Sequence, residues 1–131
     1  MASEKRRPRR QWRDYRTAAG GRPVKEFLDG LTDEEAATIV AGMKEIAREG
    51  LPVAKHLRGD VYEVRAEAST RSFRLLFAAE GHYGHVLLSL SAFVKKTQKT
   101  PVRELSLAEN RLRDWRQRGQ ALRRTRGGEP R

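Results

Sequence analysis

Val61-Tyr62-Glu63-Val64-Arg65-Ala66-Glu67-Ala68 alternates apolar and charged side chains, and two apolar runs follow it, Phe73 to Ala79 and Val86 to Lys95. Successive side chains of a strand point to opposite faces, so the alternation reads as β-structure with one buried face. The links between the runs, Ser69-Thr70-Arg71-Ser72 and Glu80-Gly81-His82-Tyr83-Gly84, are rich in turn residues. Links this short make hairpins. The stretch is an antiparallel meander of three strands.

Upstream the period changes. Val24, Phe27, Leu28 and Leu31 recur at helical spacing after Pro23, which suits a first helical position. Thr32-Asp33-Glu34-Glu35 reads as a capping box for a second helix with the apolar stripe Ala36, Ile39, Val40, Met43, Ile46 and Ala47, stopped by Gly50. Gln11 to Thr17 reads as a short strand. Downstream, Thr100-Pro101 caps a last helix along which Val102, Leu105, Ala108, Leu112 and Trp115 recur. The expected fold is α+β, a small antiparallel sheet of three or four strands with two N-terminal helices and a C-terminal helix packed on it. A length of 131 residues implies one domain over 1–131. Its ordered core is expected over about 11–117, with flexible Arg-rich ends at 1–10 and 118–131.

Composition narrows the functions. There is no cysteine, which excludes disulfides, thiol nucleophiles and cysteine-held metals. The nine residues Val86 to Val94, broken by two serines, are far short of a membrane span. The basic N-terminus leads into no apolar stretch, so a cytoplasmic protein without a membrane partner is expected. The net charge is +11, which points toward nucleic acid. Its distribution matters more than its size. Residues 1–16 and 111–131 contribute +5 and +6, and residues 17–110 balance thirteen cations against thirteen anions. Within that neutral middle the cations outnumber the acids only after residue 50.

Strand parity locates them. With Tyr62, Val64, Ala66 and Ala68 facing the core, Glu63, Arg65 and Glu67 lie opposite; with Phe73, Leu75 and Phe77 inward, so does Arg74. In the third strand Val86, Leu88, Leu90, Ala92 and Val94 are expected inward, with Ser89, Ser91 and Lys95 opposite. Arg65, Arg74 and Lys95 then converge on one non-core face, rimmed by Arg58, Lys96, Lys99 and His56. Two readings of that face stand: a solvated network of Arg65 with its neighbours Glu63 and Glu67, and an anion site. Lys95-Lys96-Thr97-Gln98-Lys99, with three cations and no acid, favours the second. The spacing of His56, His82 and His85 fits no metal motif, so no metal or other cofactor is expected.

If the face is catalytic, its natural substrate is a phosphodiester whose developing charge the cations stabilise. RNA brings its own nucleophile, the 2′-OH, and needs only a base, a proton donor and electrostatic support. Lys95 or Lys96, or alternatively Glu63, are the candidates for proton transfer. Arg65 and Arg74 remain charged and would clamp the phosphate.

Several segments in order, Gly21-Arg22-Pro23-Val24-Lys25-Glu26-Phe27-Leu28, Leu57-Arg58-Gly59-Asp60-Val61-Tyr62-Glu63-Val64-Arg65, Phe73-Arg74-Leu75-Leu76-Phe77 and Ala92-Phe93-Val94-Lys95-Lys96-Thr97-Gln98-Lys99-Thr100-Pro101, resemble the phage-derived, HigB-like branch of the RelE/ParE toxin superfamily. The resemblance covers roughly residues 12–117. It implies a type II toxin that cleaves mRNA on the ribosome, is neutralised by a HigA-like helix-turn-helix antitoxin, and meets operator DNA only through the antitoxin complex. The family's basic positions fall on Arg58, Arg65, Arg74, Lys95 and Lys96. One feature departs from the pattern: no tyrosine follows Tyr83 to stack on a base, and Trp115 completes a helix stripe. Two other functions stay open, a ParE-like inhibitor of DNA gyrase and a non-enzymatic nucleic-acid-binding module.

Overall fold

The computed structural model describes residues 9–127. In chain order the elements are β1 (Gln11–Asp14), α1 (Pro23–Asp29), α2 (Asp33–Glu49), β2 (Lys55–Arg58), β3 (Val61–Glu67), β4 (Ser72–Glu80), β5 (Val86–Val94) and α3 (Val102–Gly127). They form an α+β fold around one sheet of order β1-β5-β4-β3-β2. The meander β3-β4-β5 is its antiparallel centre. The sheet has five strands rather than three or four. β2 adds antiparallel to β3, and β1 runs parallel to β5. β2 is Lys-His-Leu-Arg, four residues with one apolar side chain, so it carries no alternation to read. Its partner strand makes it a strand.

α1 and α2 lie on one face. The capping box of α2 is complete, with the Thr32 hydroxyl accepting from the Glu35 amide at 3.2 Å and the Glu35 carboxylate accepting from the Thr32 amide at 3.1 Å. Val24, Ile39 and Ile46 pack against Val64, Ala66, Phe73, Leu75, Phe77 and Leu87. Gly42 sets the approach of helix to strand: a Cβ there would stand 2.8 Å from Val64 Cγ1, closer than packed atoms allow.

α3 covers part of the other face, where Leu105, Ala108 and Leu112 meet Val61, Leu76, Ala78, Leu88 and Leu90. The sheet thus has a second core where a single non-core face was expected. The reason lies in β5. The register shifts between Leu76, opposite Ser91, and Phe77, opposite Ser89, leaving Leu90 as an extra residue. Such a bulge reverses the alternation. Leu88 and Leu90 therefore face α3, Ala92 and Val94 face the α1–α2 layer, and the two serines are both buried instead of sharing an exposed face.

The basic C-terminal segment is built into the fold. Arg111 Nη1 donates to the Leu90 carbonyl at 2.7 Å. Arg116 grips Glu80 at 2.7 Å and Asp60 at 2.9 Å. Arg118 pairs with Asp114 at 2.7 Å, and Tyr15, its hydroxyl 2.5 Å from Asp114, lies between the guanidinium groups of Arg111 and Arg118. Trp115 packs against the α3-side core. The helix continues to Gly127, so residues 118–127, read as a flexible end, are helical; arginine is a good helix former. The remainder of the expected flexible ends, residues 1–8 and 128–131, lies outside the described residues. Among the described residues no helix is long and apolar enough to cross a membrane.

Candidate active site

α3 leaves half of its sheet face uncovered. The cover begins at Glu104, which accepts from Ser91 at 2.8 Å. Beyond it, β3 supplies Glu63, Arg65 and Glu67, and β4 supplies Arg74. Arg65 stands directly opposite Arg74, and Arg74 opposite Phe93. The Lys95 amide donates to the Ser72 carbonyl at 2.8 Å, which carries the ladder one residue past β5. The convergence of Arg65, Arg74 and Lys95 holds despite the bulge, because the bulge lies before all three in the ladder.

Two arginines paired across strands repel each other. Glu63 holds them together. It is 2% exposed, lies 3.2 Å from Arg65 Nε and 3.7 Å from Arg74 Nε, and accepts from the Thr100 hydroxyl at 2.7 Å. Arg74 is itself 5% exposed. Its Nη1 donates to the Phe73 carbonyl at 2.8 Å and approaches Glu67 at 3.4 Å. The Glu67 carboxyl is held below its ordinary range, first by the Ser72 hydroxyl and then by Arg74 and Lys95, against the opposing effect of burial. Arg65 is different: its side chain is 51% exposed.

The segment from Lys95 to Thr100 crosses over Arg74 and lines a shallow depression with Phe93 and Pro101. The Thr97 hydroxyl donates to the Lys99 carbonyl at 2.9 Å and folds this loop. Lys96 and Lys99 are exposed and Lys95 half-buried. Five cations thus gather around two carboxylates. This is a preorganised positive site in which Arg74 is sunk beneath the loop, and Arg65 and the lysines meet solvent.

Two rim candidates lie elsewhere. Arg58 sits on the α3 side but is bound to Glu109 at 2.5 Å and 3.1 Å. His56 faces the opposite side of the sheet, its ring 4.9 Å from that of Tyr62, with Nε2 at 2.7 Å from the Gly59 carbonyl. They are two positions apart and would share a face in a regular strand; the register shift between them in the β2–β3 ladder separates them, a division hidden in the sequence because β2 itself was. Three contributors escaped the sequence reading. Thr100, read as a helix cap, gives its hydroxyl to Glu63; Phe93 backs Arg74; and Lys55 pairs with Glu63 in the β2–β3 ladder. Only Thr100 had a signal, its place directly after the lysine run.

The description "phage derived protein Gp49-like" matches residues 26–113. The chain belongs to the Gp49-like family. It is also 34% identical over 107 residues to two Mycobacterium tuberculosis proteins, of strains CDC 1551 and H37Rv, each named "Probable endoribonuclease HigB1". The alignments span 79% of this chain and 83% of theirs. This Gp49-like protein is therefore HigB-like. The family match runs from α1 into α3 and takes in every residue of the cluster: Glu63, Arg65, Glu67, Arg74, Lys95, Lys96, Lys99 and Thr100.

Proposed function

We propose that the protein is the toxin of a type II toxin–antitoxin pair and acts in the cytoplasm as a ribosome-dependent mRNA endoribonuclease. The observation that carries this reading is the uncovered half-face, where a surplus of cations is fixed around a buried carboxylate in a chain related to proteins named as endoribonucleases. RNA passing over the face presents a phosphodiester to Arg65, Lys95, Lys96 and Lys99. The 2′-oxygen attacks the adjacent phosphorus and its proton goes to a base. The bond to the 5′-oxygen breaks as that oxygen takes a proton, leaving a cyclic phosphate. Fixed positive charge stabilises the extra negative charge on the phosphoryl oxygens at the transition state, and removing one such group typically costs about 10²–10³-fold in rate. We assign proton transfer to Lys95 and Lys96, direct phosphate contact to Arg65, and charge from beneath to Arg74.

An acidic segment of a HigA-like antitoxin would neutralise the protein by covering this face, since charge complementarity steers association. The decisive experiment is translation of a defined mRNA in a reconstituted system with the purified chain. Cleavage of the message only while it is translated, with cyclic-phosphate or 3′-phosphate ends, is the expected result. Intact message together with inhibited supercoiling by gyrase would replace this reading with the ParE-like one.

A further inference from the structure

Glu63 admits two chemical roles, general base or anchor. A general base must present a free oxygen to the proton it removes. Here both oxygens are occupied. Oε1 faces Arg65 Nε at 3.2 Å and Arg74 Nε at 3.7 Å, and Oε2 accepts from Thr100 at 2.7 Å. The side chain is 2% exposed.

Its contacts join three parts of the site: β3 through Arg65, β4 through Arg74, and the end of the lysine loop through Thr100. Both arginines turn their Nε edge toward it. Among the described residues the two Nη groups of Arg65 have no partner, and these form the fork that binds a phosphate by two parallel hydrogen bonds. We infer that Glu63 is the positioning residue of the site: it sets the two guanidinium groups against their mutual repulsion, ties the lysine loop over Arg74, and takes no part in proton transfer. The catalytic half of this inference rests on the ribonuclease reading; the anchoring half does not.

The test compares Glu63→Gln, Glu63→Ala and Thr100→Val in single-turnover cleavage across pH, beside the Nε–Hε NMR signals of Arg65 and Arg74. A misplacement of about 1 Å in an active site costs on the order of 10²-fold, so Glu63→Ala is expected to lose that much in kcat. Glu63→Gln keeps an oxygen acceptor of the same shape, and is expected within about tenfold of the parent with an unchanged pH profile. Thr100→Val is expected to fall between them. The protected Nε–Hε signals persist in Glu63→Gln and are lost or averaged in Glu63→Ala. A Glu63→Gln protein as inactive as Glu63→Ala, with the acidic limb of its pH profile gone, makes Glu63 the base and overturns the inference. Unchanged arginine signals in Glu63→Ala overturn the anchoring whatever cleavage does; if the alanine variant does not fold, a Thr100→Val protein whose arginine signals and loop order both match the parent overturns it instead. A parent chain that cuts no message while the signals follow the expected pattern overturns the ribonuclease reading alone.

Discussion

Two halves of one sheet face, built by the same three strands, have opposite contents. Under α3, Val61, Leu76, Ala78, Leu88 and Leu90 are sealed against Leu105, Ala108 and Leu112. A few residues away, Glu63, Arg65, Glu67 and Arg74 occupy equivalent positions without a helix over them. The arginines differ in the same way. On α3, Arg116 is spent on Glu80 and Asp60, and Arg118 on Asp114 and the Arg16 carbonyl. Those of the open half share too few carboxylates. A strand decides only which face a side chain takes; the length and start of one helix decide which part of that face is core and which is site.

The sharpest way to break this division is a pair of substitutions with opposite signatures. Arg65→Ala is expected to lower cleavage by about 10²–10³-fold while leaving stability within about 0.5 kcal/mol, as for other exposed positions. Leu88→Ala is expected to do the reverse, losing about 2–5 kcal/mol of stability from a sealed core and cleaving normally at low temperature. Urea unfolding and single-turnover cleavage of both proteins give the comparison. A folded Leu88→Ala protein without activity, or an unfolded Arg65→Ala protein, would mean that the two halves are not separate.

Arg74 crosses the boundary and should show both signatures. Replacing it with Met leaves Glu63 buried with only Arg65 and Thr100, and breaking a buried ion pair costs about 3–5 kcal/mol. The double change Arg74→Met with Glu63→Gln removes both buried charges, so it should recover much of that stability and none of the cleavage. Chemical denaturation of the singles and the double closes the cycle. If the double is no more stable than Arg74→Met, the buried pair is not what Arg74 contributes.

Much of this arrangement was legible in the sequence because it depends on local periodicity. The meander, the capping box at Thr32 and Glu35, and the α3 stripe through Leu105, Ala108 and Leu112 are local patterns, and parity within β3 and β4 correctly placed Arg65 beside Arg74. What was not legible depends on partners distant in the chain. β2 exists through its pairing with β3; the bulge at Leu90 exists only in the pairing of β5 with β4; and Arg116 meets Glu80 across 36 residues. Glu63 illustrates the limit. Alternation put it on the correct face, but nothing in its neighbours foretold that it would be among the most buried charges of that face or that its partner would be Thr100, 37 residues away.

On the other side of the sheet, a carboxylate with no role in the site provides a control for pH. Glu35 caps α2 and also binds Arg71 and Thr70 of the β3–β4 turn at 3.0 Å and 2.7 Å. The Arg71 guanidinium, then Thr70 and the Thr32 amide, hold its carboxyl at about 2 rather than 4.5. The folded value is depressed, so Glu35 contributes stability that is complete above about pH 4.5 and is lost as pH falls toward 2. Glu35→Gln should lower stability at neutral pH and flatten its decline across that window, measured by thermal unfolding in a pH series. Cleavage at neutral pH should be unaffected, which separates the acid sensitivity of the fold from that of the site.

The smallest expected effect tests whether the clamps of the covered half are structural alone. Tyr15→Phe deletes one hydroxyl, the donor to Asp114, while the ring keeps its place between Arg111 and Arg118. Asp114 retains Arg118, so no charge is stranded, and the expected loss is that of one ordinary hydrogen bond, about 1 kcal/mol. That hydroxyl lies on the β1 side of the sheet, beyond α3 from Arg65 and the lysine loop, so cleavage should match the parent at temperatures where both are folded. A disproportionate loss of cleavage would show that the seating of α3, which begins two residues after Thr100, is transmitted along the helix to the hydroxyl that holds Glu63. The two halves of the face would then be coupled through the one helix that divides them.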